Sequence, residues 1–407
     1  MLDVAIVGGG LCGLALAHSL QAAKGLNWAL FEARDRLGGR VLTARSPAGT
    51  PVDLGATWFW PGHQPNVTRL VEALGLATLP QPDDGRVLHL HDATQPPRLA
   101  ALQADQRLSE DEHAPAHPRA VHGGAMRVVG GTDALIRAIA RPLPVARLNL
   151  AHRLLTVHDQ GDHVVLTFSH QGQTRQVLAK RVVLAAPPRV LHTSVGFEPA
   201  LAPDLQAAMR DTPTWMATAA KAGQVFRHAF WREAGLTGNA WVTHAQAMLS
   251  ETFDACGPDE PARAYPEAAL AGFAALPAAQ RPAFERGRPL LLESQVVQLF
   301  GEAAAHPDEL VASFWQDWAT EDSTCTALDI AQEQAGAVDH PAYGLPVFAE
   351  PCWRGRLLWG STETAQRGGG YLEGALGAAA RLRKQLLSDA PAQSRPRDAA
   401  NDAGVPA

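Results

Sequence analysis

The stretch Leu2-Asp3-Val4-Ala5-Ile6-Val7-Gly8-Gly9-Gly10-Leu11-Cys12-Gly13 decides the fold. A short apolar run ends in three glycines, and apolar residues at helical spacing follow from Leu11 to Ala22. A second apolar run, Trp28–Phe31, ends at Glu32. The pattern predicts strand, tight turn, helix and strand, a βαβ unit carrying G-x-G-x-x-G at its turn. Gly8 permits the turn, Gly10 lets backbone approach a pyrophosphate, and Gly13 lets helix and strand pack closely. Leu11 and Cys12 open the helix, where free N–H groups and the dipole favour phosphate. Glu32 stands about 20 residues on, where an acid accepts ribose hydroxyls. The hexapeptide alone would also fit a glycine turn in an unrelated α/β protein. Strand, helix and acid in one register argue for a dinucleotide site.

The rest of the chain is consistent with a globular protein built around such a unit. Its 407 residues suit two joined domains, and 46% hydrophobic with 19% charged residues exclude a disordered chain. A net charge of −6 without a basic stripe gives no reason to expect nucleic acid. Cys12, Cys256, Cys325 and Cys352 lack metal-ligand spacing and read as reduced thiols of a cytoplasmic protein. No basic region or cleavage site precedes the first strand, and no apolar run nears the roughly 18 to 20 residues of a membrane helix. No signal peptide and no membrane association are therefore expected.

Further strands are expected at His163–Phe168, Val177–Ala185 and Ala217–Phe226, with a helix at Leu290–Phe300. Pro187-Pro188 cannot continue a central ladder. A third glycine-rich block, Leu357 to Leu387, again reads as strand, loop and helix. The economical division assigns 1–74, 123–212 and 340–388 to a cofactor domain. Residues 75–122 and 213–339 form a substrate domain, and 389–407 a disordered tail. The expected fold class is α/β: a Rossmann-like cofactor domain with a substrate domain of mixed sheet and helices.

The run Glu32-Ala33-Arg34-Asp35-Arg36-Leu37-Gly38-Gly39-Arg40 separates two kinds of dinucleotide. A nicotinamide enzyme has no general need for a second glycine pair and several arginines after the ribose acid. The run resembles the E-A-R-x-R-x-G-G-R of the flavin amine oxidase family. Ordered pieces carry the resemblance further: Asp53-Leu54-Gly55-Ala56-Thr57, Val129-Gly130-Gly131-Thr132, Val182–Pro187, Gly360-Ser361-Thr362-Glu363-Thr364-Ala365 and Gly370-Tyr371-Leu372-Glu373-Gly374-Ala375. Stretches 75–122 and 240–285 match nothing residue by residue.

The resemblance implies an amine oxidase of the two-domain FAD type, with O2 as electron acceptor. The implied cofactor contacts are Gly8, Gly10, Leu11, Cys12, Gly13, Glu32, Ala33, Arg34, Gly39, Arg40, Gly55, Ala56, Thr57, Thr362, Glu363 and Leu372. It also implies two aromatic rings flanking the substrate nitrogen. Tyr371 takes one place, and Tyr343, of His340-Pro341-Ala342-Tyr343-Gly344, the other, unless it is a loop tyrosine without a role. Ala342 stands where some relatives have a tethering cysteine, so FAD is expected to be non-covalent. Lys221 falls where the family has a lysine bonded through water to flavin N5, preceding Phe230-Trp231 as expected; an edge lysine reaching solvent is the plain alternative. Trp58 takes the place of an arginine that pairs with substrate carboxylate in amino-acid-oxidising members. An amine without a carboxylate is implied, unless an arginine from elsewhere in the chain substitutes. Trp58 and Trp60 would share one strand face.

His89 and His91 would also share a strand face, but no third ligand follows, so no metal is expected. Rival readings are another FAD enzyme of this fold (a desaturase, a protoporphyrinogen-type oxidase or an amino acid oxidase) and a non-catalytic FAD-binding module. The identity of the amine, whether O2 or another acceptor reoxidises the flavin, the oligomeric state and the adenine contacts within 146–155 stay open.

Overall fold

The computed structural model describes residues 1–23, 25–82, 86–100, 122–258, 264–306, 308–336 and 340–388. The expected disordered tail and all of 101–121 lie outside the described residues. The opening unit forms as the sequence dictates: strand β1 (Leu2–Val7), helix α1 (Leu11–Ala22) and strand β2 (Trp28–Phe31). Two glycines make its turn possible. Gly8 sits at φ 114°, and a Cβ there would lie 2.4 Å from the Ala185 carbonyl oxygen. A Cβ on Gly13 would lie 2.0 Å from the Gly8 carbonyl oxygen, so only glycine lets α1 approach its strand.

Three distant segments interleave in one sheet. Leu357–Trp359, the end of Gln173–Leu184, β1, β2 and Leu148–Asn149 lie side by side, all parallel. Val4–Val7 are buried on both faces, as parallel strands require. One face packs on α1 and helix Leu372–Ser388 around Leu14, Leu16, Leu20 and Leu382. The other holds Phe31, Phe168, Leu205 and Trp359. Each such side chain contributes about 1.5–3 kcal/mol on burial. Strand Gln173–Leu184 stops before Pro187-Pro188, and Pro188 opens the next helix at its first position, where the missing N–H costs nothing.

The second sheet has seven strands in the order Leu310–Asp317, Ala220–Phe226, Ala268–Ala274, Leu249–Asp254, Leu236–Val242, Arg86–Leu90 and Arg98–Ala100. Ala220–Phe226 is an interior strand, paired on both sides and buried throughout. That removes the edge-lysine alternative for Lys221, which is 2% exposed. The α/β fold class holds: a Rossmann-like sheet beside a mixed sheet with helices. No described helix is long and apolar enough to cross a membrane.

Candidate active site

A cavity of about 530 Å³ runs from the β1–α1 turn to the face of the second sheet. Gly8, Gly10, Leu11 and Cys12 line its first end. A Cβ on Gly10 meets no protein atom closer than 4.0 Å, so the space over this glycine belongs to the cavity. Helix α1 has no side-chain cap and no acid in its first turn. Its N–H groups and dipole are left for an anion. The Glu32 carboxylate accepts from Gly9 N at 2.6 Å and Arg34 N at 2.9 Å, which fixes it at the cavity wall. Arg34 binds Glu321 at 2.9 Å and the Thr324 hydroxyl at 2.7 Å, drawing residues 321–324 over this end. His152, Arg153 and Leu154 line it as well.

Ala33, Arg34, Gly39, Arg40, Gly55, Ala56, Thr57, Thr362 and Leu372 also line the cavity. Gly13, Glu363 and Tyr343 are not among its lining residues. Gly13 is spent on helix–strand contact. Glu363 is fully buried and turned to Arg40, with N–O 2.6 Å. Burial works against the Arg40 charge, but Glu363 more than offsets it and holds Arg40 above its usual range. The same pair clamps the Trp215 backbone: Arg40 donates to its carbonyl at 3.0 Å, and its N–H donates to Glu363 at 3.3 Å.

The far end is aromatic. Tyr371, Trp58, Trp60, Trp215, Phe273 and Trp318 line it. Tyr343, the expected second ring, is anchored to backbone. The Tyr343 hydroxyl donates to the Pro213 carbonyl at 3.0 Å, and burial of the ring pushes this phenol far above its usual value. The ring parallel to Tyr371 is His340, with centroids 5.2 Å apart and planes 8° from parallel. Trp215 tilts against both, 4.3 Å from His340 and 6.2 Å from Tyr371. Trp60 meets Tyr371 edge-on at 6.5 Å.

Trp58 and Trp60 both face the cavity while Phe59 points into the core. The expected alternation is present, although only an isolated bridge, Phe59 to Met126, stands where a strand was expected. Trp58 stacks on His122 at 4.8 Å and donates to Gln81 at 2.9 Å. Lys221 also lines the cavity. Its ammonium donates to Gly55 O at 3.0 Å and Thr57 Oγ1 at 2.5 Å, amid the rings of Phe273 (5.0 Å), Phe253 (5.3 Å) and Trp58 (5.6 Å). The described residues hold no group of three or more potential metal ligands; His89 and His91 bond the Thr243 hydroxyl instead.

Several lining residues, and His340 stacked on one of them, were not identified from sequence. His340 lies three positions from Tyr343 in a stretch already singled out. Trp215 opens the apolar run containing Lys221. Phe273 is Lys221's partner across the sheet, which only strand register reveals. Trp318, whose indole donates to Leu54 O at 3.0 Å, lies far from every motif.

The profile of the flavin containing amine oxidoreductases matches residues 11–116 and 119–382. Putrescine oxidase of Kocuria rosea is 27% identical, over 92% of both chains. A flavin-containing amine oxidase of Oncorhynchus mykiss is 24% identical over 95% of this chain and 85% of its own. Among solved structures, wild-type putrescine oxidase bound to putrescine superimposes with TM-score 0.72 at 21% identity, covering 95% of this chain and 99% of that one. Cyclohexylamine oxidase from Brevibacterium oxydans gives 0.70 at 19%, covering 95% and 98%. At these identities the superpositions speak for the fold.

Proposed function

The chain belongs to the flavin-containing amine oxidoreductases, and from that premise we propose that it oxidises a small amine lacking a carboxylate, with FAD held non-covalently. When bound, FAD accepts a hydride equivalent at N5 from the carbon bearing nitrogen, and O2 takes the electrons on to give hydrogen peroxide. The observation that carries the reading is the single cavity joining the dinucleotide turn to the aromatic end that holds Lys221. The residues fit the cofactor: an open Gly10, an uncapped helix N-terminus and the fixed Glu32 carboxylate.

The chain's own residues do the rest. Tyr371 and Trp215 would flank the amine, while Trp58, Trp60 and Phe273 exclude water. An apolar wall disfavours an ammonium relative to the neutral amine, which is the form whose C–H bond is oxidised. Lys221 supplies a donor and a positive charge at the junction of the two ends. Trp58 stands where a carboxylate-binding arginine is expected in amino-acid-oxidising members, which supports a substrate without that group. Ala342 in place of a tethering cysteine supports free cofactor. Cys12 lines the cavity, but burial pushes its thiol up to about 12, leaving almost no thiolate near neutrality.

A peroxide-coupled assay over primary amines, diamines, polyamines and amino acids tests the substrate class. Turnover of amines with amino acids inert is expected; the reverse would overturn it. Acid precipitation is expected to leave intact FAD in the supernatant.

A further inference from the structure

We infer that His152 reads the adenine of the bound dinucleotide, its Nε2 accepting a hydrogen bond from the exocyclic amine. This rests on the placement of FAD given above and not on the identity of the substrate.

The adenine is joined to the ribose whose hydroxyls Glu32 accepts, so its ring falls at the end of the cavity beyond that carboxylate. There the cavity is lined by His152, Arg153, Leu154, Leu191, Ser194 and Val195. Leu154, Leu191 and Val195 suit the faces of a flat ring. Backbone straps the histidine to the ribose acid: His152 N donates to Glu32 O at 2.8 Å, and Ala151 N to Arg34 O at 2.8 Å. The spacing between carboxylate and imidazole is therefore set before any ligand arrives.

The imidazole is held in one plane and one tautomer. It is 9% exposed. Its Nδ1 lies 2.7 Å from Leu150 O, and since a carbonyl only accepts, Nδ1 carries the proton. His170 stacks on the ring, with centroids 4.0 Å apart and planes 20° from parallel, and its own Nδ1 donates to Ala151 O at 3.1 Å. Phe31 and Phe168 meet the ring of His152 edge-on at 5.9 and 6.0 Å. In the neutral ring Nε2 is then a bare acceptor, and no described residue donates to it. A buried acceptor left unpaired is costly, and a donor on the ligand removes that cost. The 6-amino group of adenine is such a donor.

Two neighbours could read the same position instead. The Ser194 hydroxyl gives its hydrogen to Val190 O at 2.7 Å, which leaves its oxygen as a competing acceptor. Arg153 can only donate, and would favour an oxygen where adenine has nitrogen.

The test is a competition on the full-length holoprotein between FAD and flavin hypoxanthine dinucleotide, which carries oxygen in place of the 6-amino group. Wild type, His152→Phe and Ser194→Ala are equilibrated with an equimolar excess of both until samples started from either flavin agree. Free flavin is removed by gel filtration, and the bound flavins are released with acid and resolved by chromatography. Wild type is expected to hold FAD over the analogue by roughly tenfold, the worth of one hydrogen bond replaced by two facing acceptors. His152→Phe keeps a ring against His170 but removes the acceptor, so its ratio is expected to fall to within about twofold of unity. Ser194→Ala is expected to keep the wild-type ratio.

A wild-type ratio near unity overturns the inference. So does a ratio that favours the analogue, which would give the reading to Arg153. A preference for FAD that His152→Phe leaves unchanged belongs to backbone or to Ser194, and overturns it too. If wild type retains neither flavin, or exchanges none, the placement of free FAD falls and takes this inference with it. Should His152→Phe fail to fold, His152→Leu is read the same way.

Discussion

At the residue scale, two glycines of one motif differ in what surrounds them. A side chain at Gly10 enters the cavity, whereas one at Gly13 enters the Gly8 carbonyl. Gly10→Val is expected to fold with a wild-type circular dichroism spectrum and lose flavin. Gly13→Val is expected to lose the fold, because backbone cannot yield by so much. Tight FAD binding by Gly10→Val would remove the turn from the cofactor site. The cysteines give a second prediction. Burial pushes Cys12, Cys256 and Cys325 up to about 12 and raises Cys352 too. A raised thiol pKa means protonated, unreactive sulfur at pH 8. Iodoacetamide at that pH is expected to label none of the four until the protein is unfolded, as intact mass would show.

At the element scale, the aromatic end is assembled from pieces that share no motif. Trp58 and Trp60 come from the turn after Asp53, Trp215 from the approach to a substrate-sheet strand, and His340 and Tyr371 from the last block. Tyr371→Ala is expected to retain FAD while kcat and kcat/KM fall together by roughly two- to tenfold, the worth of one aromatic contact made chiefly in the transition state. Unchanged kinetics would take Tyr371 out of the reaction. The sequence showed β1, α1, β2 and the Tyr371 segment because glycine turns and apolar periodicity are local signals. The orientation of Tyr343 depends on a non-local acceptor, the Pro213 carbonyl, which local pattern does not carry. Lys221 was legible as an anomaly, a lysine in an apolar strand. Its neighbours Phe253 and Phe273 needed the register.

At the scale of the whole molecule, buried ion pairs join segments far apart in sequence. Arg40–Glu363 ties the first cofactor segment to the last and clamps Trp215 between them. Arg189–Asp329, N–O 2.7 Å, joins the helix after the parallel strand to helix Ala327–Gln334, which Asp329 also caps. Removing one member leaves a buried charge unpaired, at a cost of about 3–5 kcal/mol. Asp329→Ala should lower the thermal midpoint well below that of a surface control such as Asp211→Ala; equal midpoints would show the pair to be dispensable. Such long-range pairs leave no trace in local pattern, so the interleaving of segments was inferable only from motif order.

These scales meet in one claim, that an amine at the aromatic end reduces flavin held at the glycine turn. Anaerobic mixing of the yellow protein with a panel of amines, followed near 450 nm, tests it without oxygen or coupling enzymes. The account predicts bleaching that saturates with amine concentration and slows in Tyr371→Ala and Lys221→Met. Flavin that dithionite reduces but no primary, secondary or polyamine bleaches would contradict it.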